Sequence, residues 1–232
     1  MSRGLFITGT GTDVGKTYVT ALIVRRLCEA GFHAAYFKAA VSGNDRDTNG
    51  NLIPGDAQWV RQISGTPQPL ETMCPYIYET AVSPHLASRL EGNPVSLKRV
   101  RMCYEQVCAL HDYVTVEGSG GIVCPIRYDS QHILLEDIVK ALQLPCLIVA
   151  DAGLGTINHV VLTAEYLKNR NIPVQGIILN HFHPGDTMEE DNRFMCTELT
   201  GISVLACVED GAEALNIDAD FLASLYKEGE SV

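Results

Sequence analysis

The chain has 232 residues, of which 46% are hydrophobic and 19% are charged. That balance is enough for a full core and too weakly charged for a disordered chain, so we expect one α/β domain over residues 1–232. The formal net charge of −11 at pH 7 argues against a general nucleic-acid binder, which needs a basic surface, although a few local cations suffice for a nucleotide.

The eight cysteines form no Cys-x-x-Cys pair, and several lie inside apolar runs such as residues 145–149. This usage is typical of buried, reduced thiols, and we expect no zinc site. The sequence shows no signal peptide and no run of about 18 apolar residues. We therefore expect a cytoplasmic protein that does not bind a membrane.

Strand and helix patterns alternate along the chain. The predicted strands cover residues 4–8, 33–38, 113–116, 146–150, 174–179 and 203–208. The predicted helices cover residues 15–30, 56–64, 97–110, 134–142, 157–169 and 186–199. Residues 42–56, which are rich in Gly, Asn and Asp, have the composition most typical of a long loop. Near-continuous apolar strands separated by helices indicate a mostly parallel sheet that is covered on both faces.

In open α/β sheets, ligands bind at the carboxyl ends of the strands. Five polar or glycine-rich segments follow the predicted strands at that edge. They are residues 9–17, 38–43, 117–121, 151–158 and Asn180. We expect these segments to converge in space.

Residues 9–17, which read GTGTDVGKT, predict a nucleotide site. A strand runs into a turn whose backbone N–H groups can cradle phosphates, and the following helix adds the positive end of its dipole. Lys16 supplies a mobile cation for the outer phosphates, and Thr17 supplies a hydroxyl for Mg²⁺. Five residues separate Gly9 from Gly15, one more than in the common phosphate loop.

Two acidic residues are candidate Mg²⁺ ligands beside Thr17, because Mg²⁺ on phosphates prefers hard oxygen donors. Glu117 ends a core strand just before a glycine-rich turn, and Asp56 stands at the start of a predicted helix. Each has a plainer alternative. Glu117 could cap the turn that follows it, and Asp56 could be an ordinary helix N-cap.

Lys38 ends an apolar strand beside the predicted phosphate site. A second cation near Lys16 would suit phosphoryl transfer, in which charge spreads over the moving group. The alternative is a lysine whose ammonium reaches solvent from the strand end. His181 and His183 lack an evident third metal ligand, so we interpret them as surface or loop residues. The tyrosines are interpreted as core or surface aromatics.

With these segments in place, the chain resembles the dethiobiotin synthetase family from about Phe6 to Glu209. The resemblance rests on residues 8–17, Lys38 with residues 41–43, and residues 55–57, 83–85, 116–121 and 153–159. It implies a P-loop NTPase-type fold, ATP as co-substrate and Mg²⁺ as metal. It also implies a ligase of biotin biosynthesis, which joins CO₂ to 7,8-diaminononanoate to give dethiobiotin, ADP and phosphate.

The resemblance further implies an order of steps. One substrate amine forms a carbamate with CO₂, and the carbamate oxygen attacks the γ-phosphate of ATP to give a carbamic–phosphoric anhydride. The second amine then closes the ureido ring and expels phosphate. An anionic carbamate must approach an anionic triphosphate, and Lys16, Lys38 and Mg²⁺ are suited to offset that repulsion.

The family's site residues carry over onto matching positions of this sequence in four groups. The implied catalytic residues are Thr12, Lys16 and Lys38, and the implied metal ligands are Thr17, Asp56 and Glu117. The implied nucleotide-binding residues are Thr12, Asp13, Val14, Gly15, Lys16, Thr17, Asp56, Glu117, Gly118, Ser119, Gly120 and Asn180. The implied substrate-binding residues are Thr12, Lys38, Ser42, Leu154, Gly155, Ile157 and Asn158. The family is a homodimer, and the last four would reach the substrate's carboxylate tail from the partner subunit.

The sequence departs from the family pattern in three places. Ala39 stands where proline is common, His181 follows Asn180 where aspartate is frequent, and residues 208–209 stand where Ile-Pro is frequent. The last two changes fall where the nucleotide base should be recognised. We therefore expect base selectivity to be relaxed or to use different contacts.

Three rival readings remain. A switch ATPase of the partition or division-site kind would carry an extra lysine early in the loop and often a basic membrane-targeting helix. Residues 10–12 contain no lysine, and residues 218–232 hold only Lys227 as a cation. A carboxylate-amidating ligase would need a glutamine-hydrolysing domain, for which this length leaves no room. A catalytically silent paralogue is disfavoured because the candidate catalytic and metal-binding residues are intact.

Overall fold

The computed structural model describes residues 2–228, and parallel strands form its centre. The strands are β1 (Arg3–Gly9), β2 (Ala34–Lys38), β3 (Tyr113–Gly121), β4 (Pro125–Tyr128), β5 (His132–Leu134), β6 (Cys146–Asp151), β7 (Val174–Asn180), β8 (Val204–Val208) and β9 (Lys227–Glu228). The helices are α1 (Lys16–Glu29), α2 (Gly55–Ser64), α3 (Pro84–Leu90), α4 (Leu97–Cys108), α5 (Leu135–Leu142), α6 (Thr156–Asn169), α7 (Thr187–Thr200) and α8 (Ala219–Ser224), with a short 3-10 turn at Leu70–Thr72.

The main sheet has the strand order β2-β3-β1-β6-β7-β8, and neighbouring strands along this path are parallel. β9 adds a short antiparallel pairing at the start of β1. β4 and β5 form a separate antiparallel hairpin. The carboxyl ends of β1, β2, β3, β6 and β7 consequently lie at one edge of the main sheet, where the fold class predicts a ligand site.

Two hydrophobic clusters pack on opposite faces of this sheet. Along β1, Leu5 and Ile7 belong to the cluster beneath α1, α2 and α8, whereas Phe6 belongs to the cluster beneath α4, α5 and α6. Successive strand residues point to opposite faces, so a strand covered on both sides must be apolar at nearly every position. No helix in the described residues is long and apolar enough to cross a membrane.

All six predicted strands and all six predicted helices are present, with small shifts of their ends. The largest shift is in β3, which continues to Gly121 through the segment that we expected to follow it. Register with β1 explains the extension, because Ile7 pairs with Glu117 and Gly9 with Gly121. A Cβ added to Gly118 would lie 2.7 Å from Leu135 Cδ2, so a larger residue would not fit there.

Candidate functional site

The glycine-rich loop joins β1 to α1, as the sequence predicts. Gly15 adopts a left-handed conformation with φ of 79° just before the first residue of α1. Lys16 is buried, and its Nζ donates a hydrogen bond to the carbonyl oxygen of Gly11 at 2.7 Å. Burial lowers the pKa of Lys16, while the nearby Glu117 carboxylate works in the opposite direction. The loop thus holds its own lysine at the place where outer phosphates would bind.

A buried ion-pair cluster lies beside the loop. Lys38 and Glu117 are register partners on β2 and β3, which brings their side chains together. Lys38 Nζ lies 2.6 Å from Glu117 Oε1 and 2.5 Å from Asp56 Oδ2. Burial alone would lower the pKa of Lys38, but the two carboxylates outweigh it and hold this pKa above its usual value. The alternative in which Lys38 reaches solvent is therefore wrong.

The contacts in this cluster test the alternative in which Asp56 and Glu117 are ordinary caps of a helix and a turn. Asp56 is the second residue of α2, whose N-cap is Pro54, so it is not the helix N-cap. Its carboxylate contacts Lys38 instead. The Glu117 carboxylate is wholly buried and does not cap the following turn, because Thr17 Oγ1 donates to its Oε1 at 2.7 Å. Glu117 therefore contacts the end of the phosphate loop directly, and Asp56 joins the same cluster through Lys38.

The oxygen atoms around Lys38 Nζ suit a magnesium ion. A threonine hydroxyl and two carboxylates are hard donors, and Mg²⁺ on a nucleotide takes only one or two carboxylates, with phosphates and water completing its shell. No group of three or more His, Cys, Asp and Glu side chains within residues 2–228 could hold a metal by itself. The donor set of Thr17, Asp56 and Glu117 thus fits a nucleotide-bound metal better than a site made of protein ligands alone.

Sequence reasoning missed a third partner of Glu117. The hydroxyl of Tyr36 donates to Glu117 Oε2 at 2.9 Å, and Tyr36 is completely buried. The sequence alone identifies the tyrosines only as core or surface aromatics. Tyr36 stands two residues before Lys38 on β2, and residues two apart on a strand share a face. The two-residue spacing of Tyr36 and Lys38 is therefore the feature of the sequence that could have indicated this contact.

A cavity of about 610 Å³ opens next to this cluster. Of the residues implied to bind substrate, Thr12, Lys38 and Ser42 line it, and so do Asp13, Asp56, Ser119 and Gly120. Two hydroxyls at its wall donate to backbone carbonyls, Ser42 Oγ to Val82 at 2.5 Å and Ser119 Oγ to Ala40 at 2.7 Å. Ser83 and Cys124 also line the cavity, and neither was among the candidate site residues.

The other implied substrate residues lie elsewhere. Leu154 lines a second cavity, of about 410 Å³, between the phosphate loop and the start of α6. It is 91% exposed. Gly155 is the N-cap of α6, and Ile157 and Asn158 occupy its first turn, where backbone N–H groups have no partner within the helix. These four residues do not line the larger cavity of Lys38 and Ser42 in the same chain.

Asn180, at the end of β7, lies directly behind the phosphate loop. Its Nδ2 donates to the carbonyl oxygen of Val14 at 3.3 Å, and its buried Oδ1 has no hydrogen-bond partner among the described residues. The next residue, His181, has a φ of 54°, and its Nδ1 lies 2.7 Å from Asp151 Oδ2. His183 pairs instead with Glu189, which raises the pKa of His183 through a hydrogen bond. The two histidines thus have separate carboxylate partners.

Comparisons with known proteins agree with this architecture. A family model described as an AAA domain matches residues 3–215. Among solved structures, the chain is similar to a ParA family ATPase from Chlorobium tepidum, with a TM-score of 0.53 and 14% identity over 90% of this chain and 84% of that one. It is also similar to a MinC:MinD cell division protein complex from Aquifex aeolicus, with a TM-score of 0.57 and 14% identity over 91% of this chain and 83% of that one. At such identity the likeness concerns the fold, and it confirms the expected P-loop NTPase-type class.

Curated relatives are far more similar in sequence. An ATP-dependent dethiobiotin synthetase from Brachyspira hyodysenteriae is 46% identical over 98% of this chain and 100% of its own length. One from Clostridium botulinum strain Loch Maree is 42% identical over the same shares of both chains. Both matches span nearly the whole of this chain, and the chain belongs to the ATP-dependent dethiobiotin synthetase family of ligases.

Proposed function

We propose that this protein joins CO₂ to 7,8-diaminononanoate and closes the ureido ring of dethiobiotin, with ATP converted to ADP and phosphate, in cytoplasmic biotin biosynthesis. The observation that carries the proposal is the position of Lys38. Its ammonium lies between Asp56 and Glu117, beside the phosphate loop and on the wall of a cavity of about 610 Å³. Membership of the family supplies the reaction to which this geometry is fitted.

The larger cavity supports the first step, in which one amine adds to CO₂. Thr12, Ser42 and Lys38 line it together, so hydroxyls and a cation surround a single volume. A carbamate is a small anion, and the Lys38 ammonium would stabilise it there. Holding both amines in one orientation converts a bimolecular reaction into an effectively unimolecular one, which is a large part of the catalytic task.

The second step brings the carbamate oxygen to the γ-phosphate and yields the carbamic–phosphoric anhydride. Lys16 would leave its contact with Gly11 to bind the outer phosphates, and Lys38 would meet the charge that develops on the transferred group. Mg²⁺ held by Thr17, Asp56 and Glu117 would neutralise phosphate charge. The second amine then attacks the anhydride carbon, closes the ring and releases phosphate.

The substrate's carboxylate tail would be bound by a second copy of the chain. Leu154, Gly155, Ile157 and Asn158 surround the N-terminal end of α6, where free N–H groups and the helix dipole favour an anion. Thr156 Oγ1 at the same end is buried without a partner among the described residues. None of these four residues lines the cavity of Lys38 in the same subunit, so a homodimer could complete each site.

A coupled assay tests the proposal. The protein is incubated with ATP, Mg²⁺ and bicarbonate, with and without 7,8-diaminononanoate, and both phosphate and ureido product are followed. Phosphate release that requires the diamine and matches the product is the expected result. Release that is indifferent to the diamine would favour the alternative of a switch ATPase, and a ParA family ATPase is among the solved structures with a similar fold. A parallel series with GTP tests base selectivity, and a strict requirement for ATP would exclude relaxed recognition near Asn180 and His181.

A further inference from the structure

The two carboxylate oxygens of Glu117 have different kinds of partner. Oε1 accepts from Thr17 Oγ1 at 2.7 Å and from Lys38 Nζ at 2.6 Å. Oε2 accepts from the Tyr36 hydroxyl at 2.9 Å. The carboxylate has no exposure to solvent, so water does not compete with these donors. One oxygen of Glu117 therefore faces the phosphate loop, while the other accepts a hydrogen bond from a neutral hydroxyl.

Tyr36 is itself firmly placed. It lies on β2, an outer strand of the main sheet, with its side chain completely buried. The side-chain amide of Gln68, also buried, takes the place of a neighbouring strand. Its Oε1 accepts from the Tyr36 N–H at 2.8 Å, and its Nε2 donates to the Tyr36 carbonyl at 3.0 Å. Backbone and hydroxyl are thus both fixed, and the hydroxyl stays on Glu117.

We propose that Tyr36 is a positioning residue for the metal-binding carboxylate. It holds Glu117 Oε2, so that Glu117 presents Oε1 alone to Thr17 and, in the nucleotide complex, to Mg²⁺. The inference rests on the proposed function, which makes Glu117 a metal ligand. Without the hydroxyl, Glu117 could turn both oxygens towards Lys38. The ion pair between Glu117 and Lys38, which must loosen when the metal binds, would become stronger. Glu117 would also be badly oriented as a metal ligand.

A second buried tyrosine provides a matched control. The Tyr226 hydroxyl lies 2.6 Å from Thr115 Oγ1, and Thr115 stands two residues before Glu117 on β3. Changing Tyr226 to Phe therefore also removes a buried phenol hydroxyl from a polar partner on this strand. It leaves the carboxylate untouched. A loss that arises only from a weakened core would appear in both variants.

The test measures Mn²⁺ binding by electron paramagnetic resonance to the full chain with a non-hydrolysable ATP analogue. Tyr36→Phe should weaken Mn²⁺ binding by at least about 10-fold, because partners of metal ligands typically contribute about 10–100-fold to metal affinity. Tyr226→Phe should leave the Mn²⁺ affinity unchanged. Neither variant should change the affinity for the ATP analogue that is measured without metal. Tyr36→Phe combined with Glu117→Gln should bind no more weakly than Glu117→Gln alone, because Tyr36 acts through Glu117.

The same series separates the inference from the proposal beneath it. If Glu117→Gln weakens Mn²⁺ binding and Tyr36→Phe does not, the positioning role is overturned while the proposed function stands. If Glu117→Gln has no effect, Glu117 is not a metal ligand, and the positioning role fails together with that assignment, whereas the reaction itself is tested by the coupled assay. Equal losses in Tyr36→Phe and Tyr226→Phe would also overturn the positioning role. Urea unfolding of the two Phe variants shows whether their folds are equally intact.

Discussion

Replacing Lys38 with Met would remove the charge at the centre of the ion-pair cluster and keep a chain of similar length. The ammonium lies 2.5 Å from Asp56 Oδ2 and 2.6 Å from Glu117 Oε1. The three side chains differ in access to water, with 7% of Lys38, 37% of Asp56 and none of Glu117 exposed. In the variant, Asp56 can be solvated, whereas Glu117 keeps its buried charge with only Thr17 and Tyr36 as donors.

The size of the effect follows from those exposures. Removing one partner of a buried ion pair costs about 3–5 kcal/mol, because it leaves a charge without compensation. Since Asp56 reaches water and two hydroxyls remain on Glu117, we expect a loss near the lower end, about 3 kcal/mol. Adding Glu117→Gln removes the stranded charge, so the two changes should couple, with about 2 kcal/mol less destabilisation than their sum.

Urea unfolding at neutral pH of the wild type, both single variants and the double variant gives this coupling. Turnover and nucleotide affinity are measured on the same proteins. We expect Lys38→Met to lower the rate at least about 100-fold, which is the usual effect of losing one hydrogen-bond donor to a charge that develops in the transition state. The change in nucleotide affinity should be much smaller. Additive stability losses would refute the ion-pair argument, and an unchanged rate would refute the catalytic assignment.

Further predictions concern the loop, a helix cap and pH. Gly15→Ala places a Cβ 2.0 Å from Asn180 Nδ2 at a residue whose φ is 79°. The variant should therefore lose nucleotide binding in calorimetric titration. An affinity equal to that of the wild type would contradict the close packing. Asp186 caps α7, and Asp186→Ala should cost about 1 kcal/mol in urea unfolding; no loss would mean that the cap contributes nothing. Glu189 raises the pKa of His183. The stabilisation that this pair gives to the folded protein is therefore complete below about pH 6.5 and is lost as the pH rises through the raised pKa. His183→Gln should abolish that part of the pH dependence of the urea midpoint, and an unchanged pH profile would exclude it.

The long elements of the fold were predictable because their burial requires apolar residues in a recognisable pattern. Strands buried on both faces must be apolar throughout, and α1 has apolar residues on its inner face. The missed elements are short. α3 has seven residues and β5 has three, too few for a helical or alternating period to emerge. β3 was predicted too short because glycines near its end look like a turn, although β1 pairs again at Gly121 after an irregularity in the register.

In the site, the phosphate loop was predictable from its glycine-rich motif, and Lys38 from its position, since strand ends meet at one edge of a parallel sheet. The role of Tyr36 was not, because a tyrosine in an apolar strand looks the same whether its hydroxyl meets a carboxylate or another partner. Asp56 was undecided for a related reason. An acidic residue at a helix start suits both a cap and an ion pair, and the two are separated by the position of Asp56 inside α2 and by its distance to Lys38.

The position of β1 in the middle of the main sheet has a consequence for how the chain folds. The hydrogen bond from Thr17 to Glu117 spans 100 residues, and that from Asn180 to Val14 spans 166. β1 and the phosphate loop are therefore synthesised well before these partner residues and cannot complete their contacts until those residues follow. Such non-local pairing makes folding slow compared with helix formation. During refolding, helical signal should recover well before nucleotide binding, and amino-terminal fragments that carry the entire phosphate loop should not bind nucleotide.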